Sequence, residues 1–272
     1  GLSLYLPNKE QFIAINNATK EGIFIKEDPI KRVWIGKDSR LLIYKSYTNK
    51  GVVISKVGEI QLKKALNNNA IVDIEFLSAT EVLVATHFNI YKVTIKETNK
   101  YSFECVKLEL DFKNASINKI LKAKNAIWIA TNAGLYQTFY QNKRLKTIES
   151  FFTSNVNELN KTYDILSLFF DKDNNLWIGT KDNGVLKYDI KELEFISYKY
   201  NSKNEKGISS NRINCFYEDS FGVIWIGTAQ GGLNKLNKNQ KPFYNYSHNP
   251  YDSHSLSSNL ITNIAEAKDG KI

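Results

Sequence analysis

A four-residue segment recurs along the chain at nearly constant spacing, and that spacing restricts the fold more than any other feature. Trp177-Ile178-Gly179-Thr180 and Trp225-Ile226-Gly227-Thr228 are identical tetrads 48 residues apart. Trp128-Ile129-Ala130-Thr131 stands 49 residues before the first of these, and Trp34-Ile35-Gly36-Lys37 opens the series. Leu83-Val84-Ala85-Thr86 fills the interval between them. Self-similarity of this period marks a chain assembled from one supersecondary unit used repeatedly.

The surroundings of each tetrad repeat as well. Upstream of Trp225 stands the apolar run Ile213-Asn214-Cys215-Phe216-Tyr217, then a polar turn with Gly222; upstream of Trp177 stands Ile165-Leu166-Ser167-Leu168-Phe169-Phe170, then Asp173-Asn174-Asn175. Each reads as a hairpin ending in the tryptophan strand. Downstream, Gly184 to Asp189 and Gly232 to Asn237 supply a third strand, and Phe195 to Tyr198 and Phe243 to Tyr246 a fourth. Helical periodicity is sustained nowhere, so a helical solenoid of similar period is excluded.

Four short strands per repeat predict an all-β chain, a β-propeller of four-stranded blades. One such sheet has two apolar faces and cannot bury both, so blades must stack face to face about an axis. Residues 1–272 then form a single propeller region with five full repeats and two partial blades, 1–16 and 259–272. Asn259 to Ile264 matches a first strand and Asp269-Gly270 its turn, which places the next tryptophan at position 273. The expectation is an excerpt, or a ring closed by strands from both ends. The tryptophans are expected between adjacent sheets, and Gly179 and Gly227 where a neighbouring backbone comes close. Leu83 in place of tryptophan predicts a looser or divergent second repeat.

Composition adds limits. Lys plus Arg total 37 against 28 Asp plus Glu, a net charge of +9. That excess favours an acidic partner. The lysines are nevertheless scattered along the whole chain, as on a solvated surface, and no run of like charge suggests a nucleic-acid arm. Cys105 and Cys215 lie 110 positions apart without a second cysteine near either, which excludes a zinc knuckle and leaves one bridge, in an oxidising compartment, or by default two buried free thiols. No apolar stretch approaches 18 residues, so this segment itself does not insert in a membrane.

The tetrads and their flanks closely resemble the two-component regulator propeller repeat: an aspartate-glycine turn, a Trp-Ile-Gly-Thr strand, a Gly-Gly-Leu strand, and a phenylalanine-to-tyrosine strand. Trp225 through Leu233 fits nearly residue for residue, and the loops Tyr246 to Asn259 and Gly207 to Asn211 resemble that family's connections between blades. The resemblance is strong over 160 to 272, recognisable around Trp128 and Trp34, and weak around Leu83. It implies a seven-bladed propeller in the periplasmic sensor region of a hybrid histidine kinase of Bacteroidetes-type bacteria. There, propellers precede an immunoglobulin-like domain, a membrane helix and cytoplasmic kinase and regulator domains. It further implies an oligosaccharide ligand, control of polysaccharide-utilisation genes, and homodimerisation through the full-length sensor. Kinase activity would lie outside this segment, which is expected to be non-enzymatic and to need no cofactor.

Local motifs for chemistry are weak. His248, Asp252 and His254 fall within seven residues but lack a fourth zinc ligand, and the surrounding Asn-Pro and serines spell a turn. Asp171 to Asn175 lacks the glycine and closing glutamate of a calcium loop. Glu218-Asp219 has the residue types of a glycosidase pair but adjoins a strand-to-strand turn. No nucleophile elbow, Walker loop or dinucleotide fingerprint occurs. Two other classes stay open: a protein-interaction or dimerisation scaffold, and a lyase or hydrolase built from dispersed loops. For a ligand site, the loops entering the innermost strands and those between second and third strands converge on one propeller face. By repeat alignment they carry Lys37, Arg40, His87, Asn132, Asp164, Lys181, Arg212 and Gln230, amides and ions suited to sugar hydroxyls, sulfate or carboxylate.

Overall fold

The computed structural model describes residues 3–6, 11–14, 24–48, 52–67, 69–97, 101–112, 114–141, 144–145, 149–150, 163–189, 191–204, 206–237, 242–267 and 270–272. The chain divides into two compact units, Gly1–Asp111 and Phe112–Ile272. Every regular element among the described residues is a β-strand, and no helix there is long and apolar enough to cross a membrane.

The first unit holds a hairpin and two blades. Strands β1 (Ser3–Leu6) and β2 (Gln11–Ala14) pair antiparallel. One blade is β3 (Phe24–Glu27), β4 (Arg32–Lys37), β5 (Arg40–Thr48) and β6 (Val52–Gln61); the next is β7 (Ile71–Phe76), β8 (Glu81–Thr86), β9 (Ile90–Glu97) and β10 (Tyr101–Lys107). Each is a four-stranded sheet with its strands in chain order. Trp34 is fully buried and meets Phe76 of the next blade edge-on, ring centroids 5.4 Å apart. Between the inner strands, the Lys26 ammonium of β3 reaches Glu75 at 2.7 Å and the buried Asp73 at 3.3 Å on β7. Burial alone would lower the Lys26 pKa; the two carboxylates more than reverse this and raise it.

The second unit holds three. The first is β11 (Ile117–Ala123), β12 (Ala126–Thr131) and β13 (Gly134–Gln141), with β14 (Arg144–Leu145) and β15 (Glu149–Ser150) both pairing with β13. Next come β16 (Ile165–Phe170), β17 (Leu176–Thr180), β18 (Val185–Asp189) and β19 (Glu194–Tyr198). The last is β20 (Ile213–Glu218), β21 (Ile224–Thr228), β22 (Leu233–Leu236) and β23 (Phe243–Tyr246). Strand β11 packs on β16, and β16 on β20, so inner strands adjoin. Trp128 faces Phe170 and Trp177 faces Phe216, each on the following blade. Such aromatic pairs contribute about 0.5–1.5 kcal/mol beyond their burial.

An aspartate six residues before the tryptophan builds the hairpin that presents it. Asp28, Asp171 and Asp219 each accept, through Oδ1, the N–H groups two and four residues on, and through Oδ2 the indole N–H of Trp34, Trp177 and Trp225 at 2.8–2.9 Å. The turn forces left-handed backbone three residues after the aspartate, φ 65° at Lys31, 67° at Asn174 and 79° at Gly222. Glycine adopts this without a Cβ penalty, which explains the glycine of the best-matched repeat.

The rest of the tetrad has equally specific work. Thr180 and Thr228 donate Oγ1–H to the carbonyls of Gly184 and Gly232 and accept the N–H groups of Asn183 and Gly231, which fixes the turn between second and third strands. The glycine makes room for a side chain, not for a backbone as the sequence suggested. A Cβ on Gly179 would collide with Ser167 Oγ, its partner across the sheet, and lie 2.8 Å from Ile213 of the next blade. The expected looseness around Leu83 is also corrected: Leu83 is fully buried within a complete four-stranded blade. Apolar area, not the indole, is what that position must supply.

Candidate functional site

In the second unit, the residues leaving each second strand are bonded to those entering the inner strand of the same or neighbouring turn. Asn132 N–H donates to Ser116 O at 2.9 Å, Lys181 N–H to Asp164 O at 2.9 Å, and Ala229 N–H to Arg212 O at 3.1 Å. These three links put Asn132, Asp164, Lys181, Arg212 and Gln230 along one edge of three successive blades. Loops on a rigid sheet scaffold are where recognition residues concentrate.

Asp164 organises this edge. Its Oδ2 pairs with Lys181 Nζ at 3.4 Å, and its Oδ1 accepts Asn118 Nδ2 from the preceding blade at 3.0 Å. Asn132 turns its Oδ1 back onto Ser116 N–H at 2.8 Å. Arg212 and Gln230 are exposed, and the described bond at Arg212 besides its carbonyl is main-chain, from its N–H to Ser210 Oγ. The edge thus offers a neutralised Asp164–Lys181 pair, a solvent-facing guanidinium, and amides.

In the first unit, Lys37 and Arg40 are cross-strand partners at the β4–β5 turn, and Arg40 lies 3.6 Å from Asp38. His87 is exposed in the β8–β9 turn with its ring against Phe88.

Two further residues at the edge escape a reading of strand alternation. The inner strands shift register just after Ile71, Ile117, Ile165 and Ile213, and such bulges re-aim a side chain. Asn118 and Asn214 occupy the bulged position and donate to the carbonyls of Ile165 and Ile261, each at 2.9 Å on the following blade. An asparagine directly after the strand-opening isoleucine was the available signal. Deeper inside, burial pushes the Cys215 thiol up to about 11, against the Gly227 N–H and the charge of Lys119, which lower it.

The reactive motifs dissolve into structure. Both oxygens of Asp171 and of Asp219 are taken by the turns and indoles described above, and Glu218 accepts Lys172 N–H of the preceding blade at 2.7 Å. His248 Nδ1 bonds Leu256 O at 2.6 Å, which makes it the protonated nitrogen, while His254 pairs with Asp252 at 3.5 Å. Among the described residues no three His, Cys, Asp or Glu side chains are grouped to hold a metal.

These four-stranded, sequentially ordered sheets define a β-propeller protein. Residues 160–182 and 207–230 match the family model of the two component regulator propeller, so the chain carries repeats of that family. Among solved structures, the chain resembles the extracellular domain assigned to a hybrid two component system of B. thetaiotaomicron, at 18% identity and a TM-score of 0.55. That match covers 96% of this chain and 38% of the other, so the chain spans well under half of that domain. Virginiamycin B lyase from Staphylococcus aureus matches at 13% identity and a TM-score of 0.58, over 92% of this chain and 74% of the lyase. The β-propeller domain of Cps50 (Swd1) from Myceliophteria thermophila matches at 10% and 0.59, over 87% and 76%. At such identities the likeness is one of fold. No curated protein matches the chain in sequence.

Proposed function

We propose that this chain is a ligand-recognising part of the periplasmic sensor of a hybrid two-component system, and that it binds an oligosaccharide at the inner-strand edge described above. One observation carries the reading. The two segments that match the regulator propeller, 160–182 and 207–230, contain Asp164, Lys181, Arg212 and Gln230, so the repeats and the candidate edge coincide. The function class follows from the repeats and the ligand class from the edge chemistry, where amides suit hydroxyls and Arg212 suits a uronate or sulfate group. A non-enzymatic role is favoured because the carboxylates that resemble catalytic pairs are held in main-chain and indole bonds.

Calorimetric titration with neutral, uronate-containing and sulfated oligosaccharides tests this. An acidic member is expected to bind, with affinity falling as salt rises. Arg212→Ala or Lys181→Ala should weaken it tenfold or more while the melting temperature stays within about 2 °C. Binding that is indifferent to both substitutions would remove the edge from consideration, and equal affinity for neutral sugars would remove the acidic ligand.

A further inference from the structure

The connection from β19 to β20 borders a cavity of about 250 Å³ between two complete four-stranded blades. Its floor is apolar: Ile208, Leu236 and Phe243 are 1%, 5% and 8% exposed. Tyr198 lines it as well. That ring lies parallel to Trp177, centroids 6.1 Å apart, and Phe243 meets it edge-on at 5.4 Å, so it is held from two sides. A volume below the roughly 300–1,000 Å³ of drug-sized sites admits one ring and its substituents, not an oligosaccharide.

The polar lining is one-sided. Lys199, Asn204 and Lys206 line the cavity and are exposed, which sets them at its mouth. Acceptors there are already bonded within the fold: Asn204 Oδ1 accepts the Lys206 N–H at 3.2 Å, Lys206 O the Phe243 N–H at 3.0 Å, and Gly207 O the Asn245 Nδ2–H at 3.2 Å. The donors are not. Lys199 Nζ, Lys206 Nζ, Asn204 Nδ2 and the Tyr198 hydroxyl bond no partner among the described residues, and no carboxylate among them lines the cavity. A tyrosine hydroxyl partly taken from water ordinarily has a protein acceptor. Burial also raises the Tyr198 pKa, so the hydroxyl stays protonated and a donor at neutral pH.

Blade packing does not require this donor set. In the next repeat, 48 positions on, Ser247, Asp252 and His254 stand where Lys199, Asn204 and Lys206 stand here, while Leu256 answers to Ile208. The apolar floor recurs in kind and the donor excess does not.

We infer that this cavity binds a small aromatic anion, a carboxylate or sulfate carried on a single ring. The ring rests on Ile208, Leu236 and Phe243, and the anion accepts from Lys199, Lys206 and the Tyr198 hydroxyl, bonds strengthened by its charge. A neutral sugar fits less well, since it brings as many donors as acceptors to a mouth that lacks only acceptors. The site shares no residue with the edge of Asp164, Lys181, Arg212 and Gln230, and the inference is independent of the oligosaccharide reading.

The test is calorimetric titration with benzoate and phenyl sulfate, against benzamide, inorganic sulfate and glucuronate. At least one aryl anion is expected to saturate a single site and to bind tenfold or more tightly than benzamide, which lacks the charge, or sulfate, which lacks the ring. Added salt should weaken it. Lys199→Gln combined with Lys206→Gln should lower the affinity at least tenfold, and Tyr198→Phe, which keeps the ring against Trp177, several-fold. Both lysines are exposed, so the double variant should melt within about 2 °C of the parent. If Tyr198→Phe loosens the blade, the double variant alone decides. Failure of both aryl anions to bind, equal binding of benzamide, or affinity untouched by the double variant overturns the inference. Glucuronate that binds more tightly than the aryl anions and is lost in the double variant overturns it too, by making the cavity a sugar site.

Discussion

Replacing Asp171 with alanine tests the central structural claim, that a carboxylate six residues upstream holds each tryptophan in place. Asp171 is buried and accepts the N–H groups of Asp173 and Asn175, the Asn175 amide, and the Trp177 indole at 2.9 Å. Asp173 is exposed, so water can replace the carboxylate there. Asn175 and Trp177 are 6% and 1% exposed, and their donors would be left buried without partners. An orphaned buried donor costs about 1–3 kcal/mol, and the variant also escapes the cost of burying a carboxylate. The expected loss is therefore about 2–4 kcal/mol. Asp219→Ala breaks the same bonds around Trp225, which is only half-buried, so water compensates and about 1–2 kcal/mol is expected. Urea unfolding at pH 7, followed by far-ultraviolet circular dichroism and tryptophan fluorescence, measures both. A loss at Asp171 below about 0.5 kcal/mol, or a larger loss at Asp219 than at Asp171, would refute the reasoning from burial.

Asp28 gives the same motif a pH signature. Burial raises its pKa, but the Arg32 N–H and guanidinium bonds, the Trp34 indole and the Arg32 charge outweigh that and hold it below 3.8. A depressed carboxylate stabilises the fold fully above about pH 5 and loses that contribution as pH falls below 3.8 through the folded value. Asp28→Asn should flatten the acid limb of the stability profile, and an unchanged limb would exclude the assignment. Gly179→Ala should destabilise by about 1–3 kcal/mol through overpacking, because its Cβ would collide with Ser167 Oγ and crowd Ile213. Ser167→Ala in the same chain should recover part of that loss in urea unfolding; no loss from Gly179→Ala alone would mean that the inner strand shifts freely.

The blade architecture was readable because its signals are large and periodic: of the five tetrads, tryptophan stands in four, glycine in three and threonine in four. The aspartate clamp was not anticipated, although Asp28, Asp171 and Asp219 all stand six residues before a tryptophan. The intervening residues differ completely, Pro-Ile-Lys-Arg-Val, Lys-Asp-Asn-Asn-Leu and Ser-Phe-Gly-Val-Ile, because the main-chain N–H groups two and four residues on do the bonding and any residue but proline supplies one there. Trp128 lacks the aspartate, with Lys122 in its place. At the candidate site, the loop residues Asp164 and Lys181 followed from repeat alignment. Asn118 and Asn214 did not, since a bulge shifts the two-residue alternation and its position is set by pairing with the neighbouring strand.

The tetrad thus ties the interior to the edge. Its threonine bonds only backbone atoms of the following turn, Asn183 N–H and Gly184 O in one blade, Gly231 N–H and Gly232 O in the next. The side chains of Lys181 to Asn183 are therefore free to vary without loosening that blade. Exchanging Lys181-Asp182-Asn183 for the Ala-Gln-Gly found at 229–231 keeps the turn length and every threonine bond while removing the Lys181–Asp164 pair. That pair is partly exposed, and exposed pairs contribute about 0–1 kcal/mol, so the melting temperature should change by no more than about 2–4 °C. Oligosaccharide affinity measured by calorimetry should fall tenfold or more. The reverse exchange is a different perturbation, because a side chain at Gly231 would meet Ser209, and it should cost stability. If the forward exchange unfolds the unit, the threonine turn is not independent of its side chains; if it leaves affinity intact, the turn is not where recognition resides.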